Sequence, residues 1–150
     1  MPILLLAIII SGLDQWTKYY VQTNMVLGMS IPVIPDIFHL TYILNPGAAF
    51  GILENQRLFF VIIALTMVGA MAYLYPRITG QPLLLRLGAG LLTGGAVGNC
   101  IDRIKTGAVV DFFDFRIWPI FNVADIAIVV GVAGIVYTLV CIPEKKDEVH

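Results

Sequence analysis

The chain is organised by long runs of apolar residues, and four can be read along it, over 2–20, 58–75, 83–101 and 124–142. The second, third and fourth each approach the ~20 residues an α-helix needs to cross a bilayer. The first is apolar only at its beginning and recruits Trp16, Tyr19 and Tyr20 to reach that length. It has no basic segment before it, the first Lys or Arg being Lys18, and no small-residue cleavage site after it. It is therefore expected as a retained helix and not as a removed signal.

The connections between the runs are unequal. Residues 76–82 predict a short hairpin with Pro76, Gly80 and Pro82 as turn residues. Residues 21–57, by contrast, are far longer than a usual connection of about 4–6 residues. Pro32, Pro35 and Pro46 interrupt any long helix there, and the β-branched and aromatic residues of 37–44 suit short strands. Residues 102–123 lean the same way and carry Phe112, Phe113, Phe115 and Trp118, aromatics of the membrane-interface kind. The predicted architecture is a membrane all-α bundle of four transmembrane helices with a small β-rich platform on the membrane surface, one domain over 1–150.

In the third run, Gly90, Gly94 and Gly98 recur every four residues and predict close approach of a neighbouring helix. Gly95, Asn99 and Arg103 follow the same spacing on the adjacent face and predict a site wall at the end of the span.

Composition agrees with a membrane chain: 59% of residues are hydrophobic and 13% charged, against about 25% charged in a soluble domain. The net charge of -1 supplies no basic field for nucleic acid. Cys100 and Cys141 fall in or at the end of spans, where they are expected as small apolar packing residues and not as a disulfide. With four spans, Arg77, Arg86, Lys145 and Lys146 share one side with both termini, while Lys18, Arg57, Arg103, Lys105 and Arg116 lie on the other. Charge therefore leaves the orientation open.

The chemistry-bearing residues segregate. Asp14 ends the first span, Asn45 lies in the long connection, Asn99 and Arg103 end the third span, Asp111 follows it, and Asn122 and Asp125 begin the fourth. Four spans place all of them on one face of the membrane. Asp111 and Asp125 lead this group, because two nearby carboxylates can share a proton and activate water against a peptide bond. Other chemistries lack parts. The serines are Ser11 and Ser30, the histidines His39 and His150, and no metal-ligand spacing or Lys-bearing glycine loop occurs.

Each residue also has a plainer reading. Asn122 and Asp125 have the spacing of a helix capping box. Asp14 could be an interfacial charge paired with Lys18 one turn on, Asn45-Pro46-Gly47 only a turn, and Arg103 a snorkelling interfacial side chain. Asp102 and Asp114 lie near the favoured positions and are read as solvent or interface charges, so that Asp114→Asn is expected to be mild.

The motifs Asp14-Gln15-Trp16-Thr17-Lys18, Asn45-Pro46-Gly47-Ala48-Ala49-Phe50-Gly51 and Gly94-Gly95-Ala96-Val97-Gly98-Asn99-Cys100-Ile101-Asp102-Arg103 occur in that order. Val109-Val110-Asp111-Phe112-Phe113 and Phe121-Asn122-Val123-Ala124-Asp125 follow. Together they resemble lipoprotein signal peptidase, the bacterial signal peptidase II family, over nearly the whole chain. The resemblance implies an aspartic endopeptidase of the bacterial inner membrane, with both termini cytoplasmic and the site towards the extracytoplasmic face. It implies Asp111 and Asp125 as the catalytic dyad, with Asp14, Asn45, Gly95, Asn99, Arg103 and Asn122 shaping the site or positioning substrate. The implied substrate is a prolipoprotein whose cysteine already bears diacylglycerol, cut just before that cysteine by a monomer among membrane lipids. No metal or organic cofactor is required.

Two readings from other classes compete. A small proton-coupled transporter would use Asp14 or Asp125 as its proton site, but such sites favour the bilayer midplane and repeated halves. An assembly subunit would use the polar cluster only to bind a partner.

Overall fold

The computed structural model describes residues 2–47 and 55–141. The elements run α1 Pro2–Asn24, β1 Ser30–Ile34, β2 Phe38–Asn45, α2 Arg57–Ile78, α3 Leu83–Thr106, β3 Val109–Asp114 and α4 Val123–Cys141. A helix stands at each apolar run. Among the described residues, α2, α3 and α4 are long and apolar enough to cross a membrane. The 23-residue α1 has the length, but Asp14, Gln15 and Lys18 lower its hydropathy from within.

Two boundaries differ from the sequence pattern. Asp14 does not end the first helix, which continues to Asn24, because Asp14 and Lys18 are neutralised as a pair one turn apart. Pro76 is not a hairpin residue but lies inside α2. The helix ends beyond it where Thr79 donates its N–H to the Tyr75 carbonyl (3.1 Å) and its hydroxyl to the Pro76 carbonyl (2.9 Å).

The central helix is α3, which packs against the other three. Its glycines permit this. A Cβ added to Gly90 would lie 3.0 Å from the Ile3 carbonyl, one on Gly94 2.8 Å from the Ala7 carbonyl, and one on Gly98 2.5 Å from an Asp14 carboxylate oxygen. That stripe is the seat of α1. The outer faces stay apolar and uncovered, with Leu5 and Ile8 on α1, Leu58 and Leu65 on α2, and Val129 and Leu139 on α4 all exposed. Apolar surface on this scale suits a lipid environment.

β2 is the middle strand of an antiparallel sheet ordered β1-β2-β3. Its register sets Ile43 opposite Asp111 and Asn45 opposite Val109. Val21 of α1 packs with Val110 and Phe112 of β3, and Leu40, Tyr42 and Val123 close around them. This cluster anchors the sheet to α1 and α4. Gly107, in the left-handed region at φ 85, terminates α3 and lets the chain turn directly into β3.

Asp114 is not a solvent or interface charge as the sequence suggested. It is 4% exposed and accepts hydrogen bonds from Thr41 (2.8 Å) and from the Arg116 backbone (2.9 Å) and guanidinium (3.0 Å). Burial would raise its pKa, but these donors and the Arg116 charge hold the carboxyl below the usual carboxylate range. The register brings it there, beside β2. Cys100 is buried as a packing residue, whereas Cys141 is exposed at the end of α4 and is not the packing residue expected; both are free thiols.

Candidate active site

Asp111 and Asp125 arrive from different elements. Asp111 lies within β3 and is 2% exposed, held by pairing with β2. Asp125 lies in the first turn of α4. The start of that helix is fixed from both directions. The Asn122 side-chain carbonyl accepts the Asp125 N–H (2.9 Å), and the Asp125 carboxylate accepts the Asn122 N–H (3.2 Å). This is a reciprocal capping box, so the structural reading of these two residues holds. It does not exhaust them, because the Asn122 amide also donates to Asp111 at 2.6 Å.

Amides join the two carboxylates. Asn99 donates to Asp125 (2.8 Å), and Asn122, fully buried, donates to the Asn99 carbonyl (3.1 Å) as well as to Asp111. On its other oxygen Asp111 accepts the Asn45 amide (2.9 Å). The Asn45 side-chain oxygen meanwhile accepts the Gly47 N–H (3.0 Å), so this residue both makes the turn and holds the aspartate. Phe121 fixes the approach to Asn122, since its carbonyl accepts the N–H groups of Phe112 (3.0 Å) and Phe113 (2.8 Å). Burial first, and then the charge of Asp125, push the Asp111 carboxyl up to about 7, against the lowering effect of its two amide donors and Lys18. A carboxyl placed so can keep a proton near neutral pH.

The remaining predicted site residues form the frame. Arg103 donates to the Gly47 carbonyl (3.1 Å), and its guanidinium lies 4.5 Å from the Phe60 ring centre. It therefore ties the Asn45 turn and α2 to α3. Gly95 contributes no polar group. A Cβ there would collide with the Ala124 carbonyl, so its bareness lets the start of α4 rest on α3 beside Asn99. Asp14, fully buried, accepts the Ala124 N–H at 2.9 Å and thus binds the α4 terminus from α1. Of the motif that begins at Asn45, residues 48–51 lie outside the described residues.

Asp102 is misread by sequence alone. It is 6% exposed, forms an ion pair with Lys18 (2.9 Å), and accepts bonds from Gln15 (2.7 Å) and the Val110 N–H (3.1 Å). Adjacency to Arg103 suggested the membrane surface, but helical spacing from Gly98 turns it towards α1. The missed participant is Lys18. The available signal was a Lys one turn after an Asp inside an otherwise apolar run. A cavity of about 160 Å³ lies against Lys18, Asp102 and Gln15 and not between the two aspartates.

Comparison with known proteins shows the family. The family model described as signal peptidase (SPase) II matches residues 6–141. The lipoprotein signal peptidase of Moorella thermoacetica is 52% identical over 136 residues, covering 88% of both chains. That of Brevibacillus brevis is 48% identical over 145 residues, covering 95% of this chain and 97% of its own. A solved bacterial membrane enzyme superposes with a TM-score of 0.84 at 38% identity, covering 95% of this chain and 92% of its own. Nothing in these likenesses favours a transporter. The chain belongs to the lipoprotein signal peptidase family, signal peptidase II, and is a bacterial membrane protease.

Proposed function

We propose that the chain is an aspartic endopeptidase in which Asp111 and Asp125 are the catalytic dyad. The observation that carries this reading is the pair of carboxylates from β3 and α4, linked through the Asn99 and Asn122 amides. One proton is shared by the pair, and the burial and nearby Asp125 charge that raise the Asp111 carboxyl support its being the member that carries it. Asp125 then takes a proton from water as the water oxygen attacks the scissile carbonyl. Asp111 gives its proton to the carbonyl oxygen, forming a neutral tetrahedral diol. On collapse, Asp125 protonates the leaving nitrogen and Asp111 recovers a proton from the diol. The pair returns to its starting state, and the C–N bond has been exchanged for a carboxylic acid and an amine, which ionise in water to a carboxylate and an ammonium.

The proposed substrate is a prolipoprotein already carrying diacylglycerol on its cysteine, cut just before that residue. In this reading all four helices span the bacterial inner membrane as a single monomeric domain, with the termini cytoplasmic and the sheet and dyad extracytoplasmic. The apolar outer helix faces support the lipid setting. Each acyl CH₂ moved into an apolar environment contributes about 0.8 kcal/mol, so lipidation can dominate substrate affinity. Purified protein is expected to cleave the diacylglyceryl-modified prolipoprotein and to leave the unlipidated one intact. Equal cleavage of both would remove the lipid from the proposal.

A pH profile tests the division of roles. Asp111 must hold a proton, so kcat/KM is expected to fall as pH rises through about 7. The Asn45 hydrogen bond favours the charged form of Asp111, as do Asn122 and Lys18, while burial and the Asp125 charge oppose it. Removing one stabiliser of the anion raises the value further. The alkaline limb of Asn45→Ala is therefore expected at higher pH than that of wild type, and a limb moved to lower pH would contradict the assignment.

A further inference from the structure

We propose that Lys18 is a positioning residue for the dyad: by gripping the Asn99 carbonyl, its ammonium decides which end of that amide faces Asp125. The inference rests on the dyad reading above. An Asn side chain can occupy the same space with oxygen and nitrogen exchanged, and only its partners select between the two. Lys18 is 2% exposed and has three N–H donors, each with its own acceptor. They are Asp14 at 2.8 Å, Asp102 at 2.9 Å and the Asn99 carbonyl at 2.9 Å. An ammonium accepts nothing, so the side of Asn99 facing Lys18 must be oxygen. Its NH₂ is then left to donate to Asp125 at 2.8 Å.

Asn122 is a weaker guarantor of the same orientation. Its NH₂ faces three acceptors, Asp111 at 2.6 Å, Asn99 at 3.1 Å and the Val110 carbonyl at 3.3 Å, and it has two hydrogens to give. The Asp111 carboxyl is the nearest of the three. An ordinary ion pair along a helix would end at Asp14; here the third hydrogen crosses to α3 and meets the amide that touches Asp125. Asp14 and Asp102 hold the ammonium in place. Asp14 also grips the Ala124 N–H, and Asp102 the Val110 N–H, each next to one member of the dyad.

The test is steady-state cleavage of a diacylglyceryl-modified prolipoprotein by purified full-length variants. Lys18→Met is expected to lower kcat about 100-fold, the scale of loss from slight misplacement of a reacting group. KM should stay within about threefold, because lost orientation acts on the chemical step. In an Asn99→Leu background the same substitution should remove no more than about twofold further, since both act on one contact. Lys18→Met strands two buried carboxylates, so Lys18→Met/Asp102→Asn, which keeps the buried cluster at one net negative charge, is compared with Asp102→Asn alone. It should show the same kcat loss while folded. Losses that multiply in the Asn99→Leu background, a loss confined to KM, or wild-type kcat in the balanced double variant would each overturn the inference. Inactivity of Asp111→Asn beside an active wild type keeps the underlying dyad reading standing in those cases; an active Asp111→Asn overturns both.

Discussion

Asp111→Asn and Asp125→Asn are each expected to reduce cleavage of a diacylglyceryl-modified prolipoprotein by about 10⁴-fold or more while the protein stays folded. Proton transfer by one positioned side chain contributes up to about 10⁴-fold, and neither variant can exchange the proton the pair must share. An amide is not silent at these positions. Both oxygens of Asp111 accept amide donors, from Asn122 and Asn45, and both oxygens of Asp125 accept as well, from Asn99 and the Asn122 backbone. An introduced NH₂ therefore faces a donor, which costs about 1–3 kcal/mol and lowers the melting temperature without removing the fold. Asp114→Asn is the matched comparison, because its carboxyl serves Thr41 and Arg116 and touches neither dyad member. It should lose stability but retain cleavage. Full-rate processing by both dyad variants would end the aspartic mechanism, since it assigns the paired acid and base to these two residues alone.

Gly95→Ala is expected to impair both stability and activity, although it changes one hydrogen to a methyl group. The new Cβ would collide with the Ala124 carbonyl and lie 2.8 Å from the Ile128 side chain. A backbone carbonyl in a helix cannot rotate away, so α3 and α4 must separate. Overpacking of this kind costs about 1–3 kcal/mol. The separation also draws Asp125 from Asn99, and a shift of about 1 Å can cost 10²-fold in rate. Thermal melting and kcat should both report the change. Gly134→Ala supplies the contrast, since its Cβ would meet nothing closer than 3.5 Å from Leu84 and stays far from the dyad. Equal behaviour of the two variants would mean that the spacing of α3 and α4 does not set the site.

Much of this is legible along the chain because long apolar helices announce themselves by length. The four runs became helices, and 37–44 became β2 to within a residue at each end, because β-branched and aromatic residues between prolines leave few other choices. The glycine stripes were legible for the same reason: a four-residue spacing needs only helical geometry to become a face. Boundaries were less so. α1 continues past Asp14, and α2 past Pro76, because side-chain partners elsewhere in the chain or at the next turn absorb the polar groups.

What the sequence by itself determined is the set of parts: apolar helices, small residues where helices meet, two aspartates with amide neighbours, and a capping box at Asn122. What only the tertiary structure decided is the state of each charge. Asp102 and Asp114 look alike in sequence to solvent carboxylates, yet both are buried, one against Lys18 and one against Thr41 and Arg116. Asp111 sits high in pKa because the sheet buries it and α4 brings a second carboxylate close. Burial and charge proximity depend on distances through space between elements far apart in sequence, and no local pattern encodes them.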